Sequence, residues 1–175
     1  RPMKRVIEPL VKMGVEFQVN QSFTLPFTIV PKSQIHPIIY EMQMASAQVK
    51  SSILIAGLYC DEVTTVIENE RTRDHTEKML GLPVRFENEK IISSSLRKYY
   101  PEAKEYFVPG DISTSAFHIV LVLLTPNSEL IIKDVSLNPT RTGFIEVLKQ
   151  MGANIFYEDI KISSNEEYGN VIVKS

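Results

Sequence analysis

The sequence predicts an α/β fold with helices inside and sheets outside, and three observations carry that reading. A helix-and-strand unit recurs along the chain, a second helix recurs in phase with the first, and one of these helices is apolar in every direction. Repeats come first because a repeat decides the architecture.

The first recurring element runs from Arg5 to Phe17 and reads as an amphipathic helix closed by Gly14 and followed by a short strand. The pattern returns from Arg73 to Phe86, closed by Gly81, and from Arg141 to Phe156, closed by Gly152. Gly14 to Gly81 is 67 residues and Gly81 to Gly152 is 71.

The second recurring element is the helix from Ser46 to Leu58, which corresponds to the stretch from Ser113 to Leu124, again 67 residues on. Each leads through a polar turn into a β-branched run, Val63 to Ile67 in one copy and Glu129 to Ile132 in the other. The unit therefore reads helix, one or two strands, helix, strand.

The third observation is the composition of helix 113–124. Ala116, Phe117, Ile119, Val120, Leu121, Val122, Leu123 and Leu124 cover the whole wheel, so the helix is expected to be buried on all sides. A plain sandwich with helices on one face of a sheet would leave half of it wet. Sheets surrounding the helices solve that problem.

With 175 residues, 43% hydrophobic and 23% charged, the chain can bury one sizeable core or parts of two. Nineteen Lys and Arg against 21 Asp and Glu give a net charge of −2, so no broad basic field exists to hold nucleic acid or an anionic membrane. Any anion must be held locally. Cys60 is the one cysteine, which rules out an intrachain disulfide and a cysteine zinc cluster and fits a reducing compartment, with the cytosol as the expected location. No segment approaches the ~18 consecutive apolar residues of a membrane helix. The start shows no basic-then-apolar signal pattern. Arg1 without a methionine, running within four residues into a helical pattern, reads as a cut through a longer protein.

Three helix starts have a chemical reading. Ser46, in Ala45-Ser46-Ala47-Gln48, is a good N-cap whose following backbone N–H groups form a ready anion site, although a plain capped helix explains it too. Thr72 reads as the cap of the stretch Thr72-Arg73-Asp74-His75-Thr76-Glu77. Arg73 is out of place there, because a cation opposes the positive end of the helix dipole unless an anion lies between them. That makes Arg73 a candidate phosphate or carboxylate ligand, against the alternative of a surface ion pair with Asp74 or Glu77. His75 beside Asp74 has no nucleophile partner in the motif and reads as a surface or capping residue. Pro109-Gly110-Asp111-Ile112-Ser113 and Asn138-Pro139-Thr140-Arg141-Thr142-Gly143 are explained by helix-start chemistry alone.

Together these strings resemble the enolpyruvylshikimate-phosphate synthases, specifically the glyphosate-insensitive or class II subgroup. The carriers are Arg1-Pro2-Met3, the stretch Met44 to Ser51, Ala56-Gly57-Leu58, the stretch Thr72 to Leu80, Pro109 to Ser113 and Leu137 to Gly143, in the family's order and spacing over essentially the whole chain. The resemblance implies an inside-out α/β barrel of two domains, each of three βαβαββ units. Residues 1–109 would be the later part of the domain inserted near the N-terminus, and 110–175 the first unit of the other domain.

The resemblance also implies a transferase of the shikimate pathway, which leads to chorismate and the aromatic amino acids. Enolpyruvyl would pass from phosphoenolpyruvate to shikimate 3-phosphate, without cofactor or metal, in a cytoplasmic protein that is monomeric at full length. By family motif, Arg1 would bind phosphoenolpyruvate, Ser46, Ala47 and Gln48 would bind shikimate 3-phosphate, with Gln48 also reaching phosphoenolpyruvate, and Arg73 would contact the phosphate or ring side of shikimate 3-phosphate. Two anions in one cleft need fixed cations and helix-start donors to offset their repulsion.

The family's Gly-Ser-Lys-Ser motif, its Asn-Ala-Gly-Thr loop, its catalytic aspartate and its Lys-Glu and later arginine motifs have no counterpart in these residues. No catalytic residue is therefore assigned, and the 175 residues alone are expected to be inactive, since the proton transfers at the phosphoenolpyruvate methylene need those groups. Two other readings compete with this one. The sister enzyme acting on UDP-N-acetylglucosamine carries a reactive cysteine in a glycine-rich loop, whereas Cys60 follows a helix in a turn and reads as structural. A non-catalytic anion-binding repeat module would explain the repeat but not the spacing of six family strings.

Overall fold

The computed structural model describes residues 2–30 and 34–175. The chain divides into two compact units, Arg1–Glu102 and Ala103–Ser175.

In the first unit the order is α1 (Lys4–Lys12), β1 (Glu16–Gln18), β2 (Thr28–Val30), β3 (Ile39–Glu41), α2 (Ala47–Gly57), β4 (Thr64–Glu68), α3 (His75–Leu80), β5 (Val84–Glu87) and β6 (Lys90–Ser95), closed by a 3-10 turn at Arg97–Tyr99. Strands β1 and β2 pair antiparallel, and the other four form a sheet in the order β3-β4-β6-β5. Only β3 and β4 run parallel in that sheet, with α2 as the crossover between them. A two-residue turn, Asn88-Glu89, with φ of 49° and 63°, closes the β5–β6 hairpin.

The core of this unit gathers around α2. Val49, Ile53, Leu54 and Leu58 pack with Met13, Met42, Val66 and Leu82, and Cys60 sits among them. Gly57 lets the end of α2 press onto the sheet, since a Cβ there would fall 2.2 Å from Ser95 Oγ and 2.8 Å from Thr64 Cβ. Burial of this kind contributes about 1.5–3 kcal/mol for each large apolar side chain.

The second unit runs α4 (Ile112–Leu123), β7 (Glu129–Ser136), α5 (Gly143–Gln150), β8 (Asn154–Ser163) and β9 (Glu166–Lys174), with an antiparallel sheet ordered β7-β9-β8. Its core joins Ile112 and Ile119 of α4, Ile145 of α5, and Val135, Ile155, Val171 and Val173 of the sheet. Both outer strands bulge, at Asp134 and Asp159, and Asn170 of the central strand serves both, accepting from Asp134 N at 3.2 Å and donating to Asp159 Oδ2 at 2.8 Å.

The helix, glycine turn and strand recur three times, although three strands separate α1 from α2 and two separate α3 from α4. Gly14, Gly81 and Gly152 all have positive φ, at 91°, 63° and 94°, and each separates a helix from a strand as the spacing predicts. The second helix also recurs, but its starts are offset. Asp111 rather than Ser113 caps α4, accepting from Ser113 N at 3.0 Å, so the caps Ser46 and Asp111 lie 65 rather than 67 residues apart.

The expected all-round burial of helix 113–124 is not met. Phe117 is 80% exposed, Leu121 63% and Leu124 77%, while Ile112, Ser115 and Ile119 face the sheet. The sheet of this unit covers one side of α4 only. The fold is α+β, and the sheets of the described residues are open.

Candidate functional site

The parallel pairing of β3 and β4 decides where the first set of candidate residues lies. Both strands point the same way, with Glu41 opposite Ile67, and Met42 N extends the pairing to Ile67 O at 2.9 Å. The segment leading to α2 and the segment leading to α3 therefore leave the sheet from the same edge. Ser46 to Gln48 sit on the first and Arg73 on the second. In open parallel α/β sheets ligands gather outside the carboxyl ends of the strands, and the β3–β4 pair presents that same end here.

Ser46 is the N-cap of α2, with extended backbone (φ −155°, ψ 103°) and a side chain that accepts from Val49 N at 3.4 Å. The N–H groups of Ala47 and Gln48, in the first turn, have no intrahelical acceptor. Gln48 is exposed, and its Oε1 accepts from a guanidinium nitrogen of Arg5 at 3.4 Å. Arg5 was not singled out by the sequence. The rule that singled out Arg73 would have found it, because Lys4 and Arg5 are cations in the first turn of α1, which has no acidic residue there. Arg1 lies outside the described residues.

Thr72 does not cap α3, contrary to expectation. The N-cap is Asp74, and the Thr72 hydroxyl instead donates to Glu68 Oε1. Arg73 is exposed and, among the described residues, makes no ion pair. The carboxylates proposed as its partners are engaged elsewhere: Asp74 with Arg71 at 3.3 Å and Lys78 at 3.9 Å, and Glu77 with Lys50 at 2.7 Å and Ser93 Oγ at 3.1 Å. The surface ion pair is therefore not the reason for an arginine at this position.

Behind these segments lies an ionic layer that sequence reading missed. Lys50, Glu68 and Glu77 are 1%, 2% and 3% exposed, and Lys50 Nζ is 2.9 Å from Glu68 Oε2 as well as 2.7 Å from Glu77 Oε1. Ser51 Oγ and Thr76 Oγ1, 2.7 Å apart, add a second tie between α2 and α3. A lysine is almost never fully buried unless paired, so a sequence alone places it at the surface.

The motifs read as helix starts in the second unit are joined to each other. Arg141 donates to Asp111 Oδ1 and to Ser113 Oγ, both at 2.6 Å, and buried Asn138 turns the chain by accepting from Thr140 N at 2.8 Å. Burial pushes the Cys60 thiol up, which fits the structural role expected of it. Among the described residues no cluster of three or more His, Cys, Asp or Glu could hold a metal, and no helix is long and apolar enough to cross a membrane.

The family model described as EPSP synthase (3-phosphoshikimate 1-carboxyvinyltransferase) matches residues 1–174. The chain belongs to the EPSP synthase family. It is 48% identical over 180 aligned residues to the 3-phosphoshikimate 1-carboxyvinyltransferase of Petrotoga mobilis, with all of this chain and 41% of that protein covered, and 42% identical over 178 to the Bacillus licheniformis protein of the same name, again covering 41% of it. A solved EPSP synthase from Acinetobacter baumannii superposes with a TM-score of 0.79 at 41% identity over 99% of this chain and 40% of that one. The chain thus spans about two fifths of the length of the EPSP synthases it matches.

Proposed function

We propose that this chain forms part of the substrate-binding surface of an EPSP synthase. The enzyme bonds a hydroxyl oxygen of shikimate 3-phosphate to the enolpyruvyl carbon of phosphoenolpyruvate and releases phosphate. The observation that carries the reading is the shared sheet edge: a capped helix start, whose first N–H groups have no intrahelical acceptor, and an exposed arginine without an ion-pair partner among the described residues leave it side by side. Ser46, Ala47 and Gln48 supply neutral donors to shikimate 3-phosphate, and Arg73 supplies a charge-assisted contact to its phosphate or ring side. Gln48 also reaches phosphoenolpyruvate, which Arg1 binds.

These residues bind and orient. Proton transfer at the phosphoenolpyruvate methylene belongs to acid and base groups of the remaining three fifths of the enzyme, as does the Gly-Ser-Lys-Ser motif. The exposed apolar side of α4 supports the inside-out arrangement, in which further units cover Phe117, Leu121 and Leu124. We read residues 1–109 as the later part of the inserted domain and 110–175 as the first unit of the other, in a cytoplasmic monomer. The relatives' names favour this reading over transfer to UDP-N-acetylglucosamine.

A coupled phosphate-release assay tests it. A full-length synthase carrying this segment turns over both substrates, and the 175 residues alone give no rate above background. Each missing acid or base is worth ~10²–10⁴-fold. Turnover by the short chain, or none by the long one, refutes the proposal.

A further inference from the structure

We propose that Thr72 is a positioning residue: through Glu68 and Lys50 it fixes the loop that presents Arg73 to the phosphorylated substrate. The inference rests on the reading of Arg73 as a substrate ligand.

The loop between β4 and α3 leaves the sheet at Glu68 and reaches the Asp74 cap six residues later. Within it, the half-buried Thr72 donates its hydroxyl to Glu68 Oε1, one residue before Arg73. Glu68 is itself immobilised, because its other oxygen meets Lys50 Nζ at 2.9 Å and its side chain is 2% exposed. Lys50 stands one turn into α2, with its backbone N bonded to Ser46 O at 3.1 Å. A continuous chain of contacts therefore runs from the cap of one candidate segment to the residue preceding the arginine of the other.

The energetics favour a positioning role over a purely stabilising one. Replacing a buried ionic group with apolar side chains of similar volume is often neutral or stabilising, so the layer is weak as a source of stability. It offers direction instead. A hydroxyl bonded to a locked carboxylate holds its residue in one place, and an exposed arginine whose backbone wanders loses the preorganisation that makes a charged contact strong.

The test compares steady-state constants of a full-length synthase carrying this segment, as Thr72→Val, Thr72→Ser, Arg73→Ala and the Thr72→Val/Arg73→Ala double variant. Thr72→Val should raise KM for shikimate 3-phosphate about tenfold with kcat little changed, since misplacement by an ångström can cost that much or more. Thr72→Ser, which keeps the hydroxyl, should restore the wild-type KM. The double variant should be no worse than Arg73→Ala alone, because a residue acting through Arg73 has nothing left to position. Thr72→Ala carries the same expectations should Thr72→Val fail to fold. An unchanged KM in the hydroxyl-free variants, or a Thr72 effect that adds in full to that of Arg73→Ala, overturns the positioning role while the substrate reading stands. An unchanged KM in Arg73→Ala overturns both.

Discussion

Lys50 meets Glu77 across the contact between α2 and α3, Nζ to Oε1 at 2.7 Å, with both side chains almost wholly withdrawn from water. Because the same ammonium also serves Glu68, removing it leaves two carboxylates buried without a cation. Lys50→Met should therefore destabilise the chain by about 3–5 kcal/mol, the cost of breaking a buried pair from one side. Neutralising the carboxylates as well, in Lys50→Met/Glu68→Gln/Glu77→Gln, should recover part of that loss. Urea unfolding of the three proteins checks it, and a triple variant no more stable than Lys50→Met would contradict the account of this layer.

Gly57 predicts a second, steric effect. An added Cβ meets Ser95 Oγ at 2.2 Å and Thr64 Cβ at 2.8 Å, so Gly57→Ala must push α2 off the sheet. A loss of about 1–3 kcal/mol is expected from overpacking, although alanine is the better helix former. Thermal melts decide, and a gain in melting temperature would show that the helix end yields freely.

Tyr157 supplies a pH dependence. Burial, with a smaller contribution from Glu146, pushes its hydroxyl up to about 12, and that hydroxyl is buried with no hydrogen-bond partner among the described residues. The unfolded tyrosine ionises near 10. Its folded-state value is raised, so stability from this group is fully present below pH 10 and is lost progressively as pH rises toward 12. Tyr157→Phe should abolish that loss and cost nothing at pH 7, since it removes an unsatisfied polar atom. Denaturant unfolding at pH 7 and pH 11 measures both statements.

In the second unit, Asp111 caps α4 through Ser113 N and receives Arg141 at 2.6 Å. Asp111→Ala removes both contacts. The cap is worth about 0.5–2 kcal/mol. The ion pair adds little, because the aspartate is more than half exposed. A lowered melting temperature of that order is expected, and an unchanged one would show that Ser113 takes over the cap.

Much of this was legible in the sequence because it rests on local, periodic chemistry. Gly14, Gly81 and Gly152 mark their turns in any context that needs positive φ, and the helices and strands on either side follow from their apolar spacing. The Ser46 cap is legible for the same reason. Features set by distant partners were not legible. Thr72 and Asp74 both suit an N-cap, but Glu68 claims the Thr72 hydroxyl, and the helix starts after Asp74, whose side chain makes no cap hydrogen bond. Lys50 looks like an exposed lysine until Glu68, 18 residues on, and Glu77 are folded against it. The burial of α4 was overestimated because composition tells what a helix could cover, not how many elements of this chain are there to cover it.

The central claim is that Arg73 holds a substrate anion, and isothermal titration of shikimate 3-phosphate into a full-length synthase carrying this segment tests it most directly. Arg73→Ala should weaken binding by about 1.5–3 kcal/mol, the range of a charge-assisted hydrogen bond. Its melting temperature without substrate should hold or rise slightly, because no ion pair among the described residues is lost and a cation beside a helix start is removed. Unchanged affinity together with a lowered melting temperature would contradict the claim and return Arg73 to a structural role.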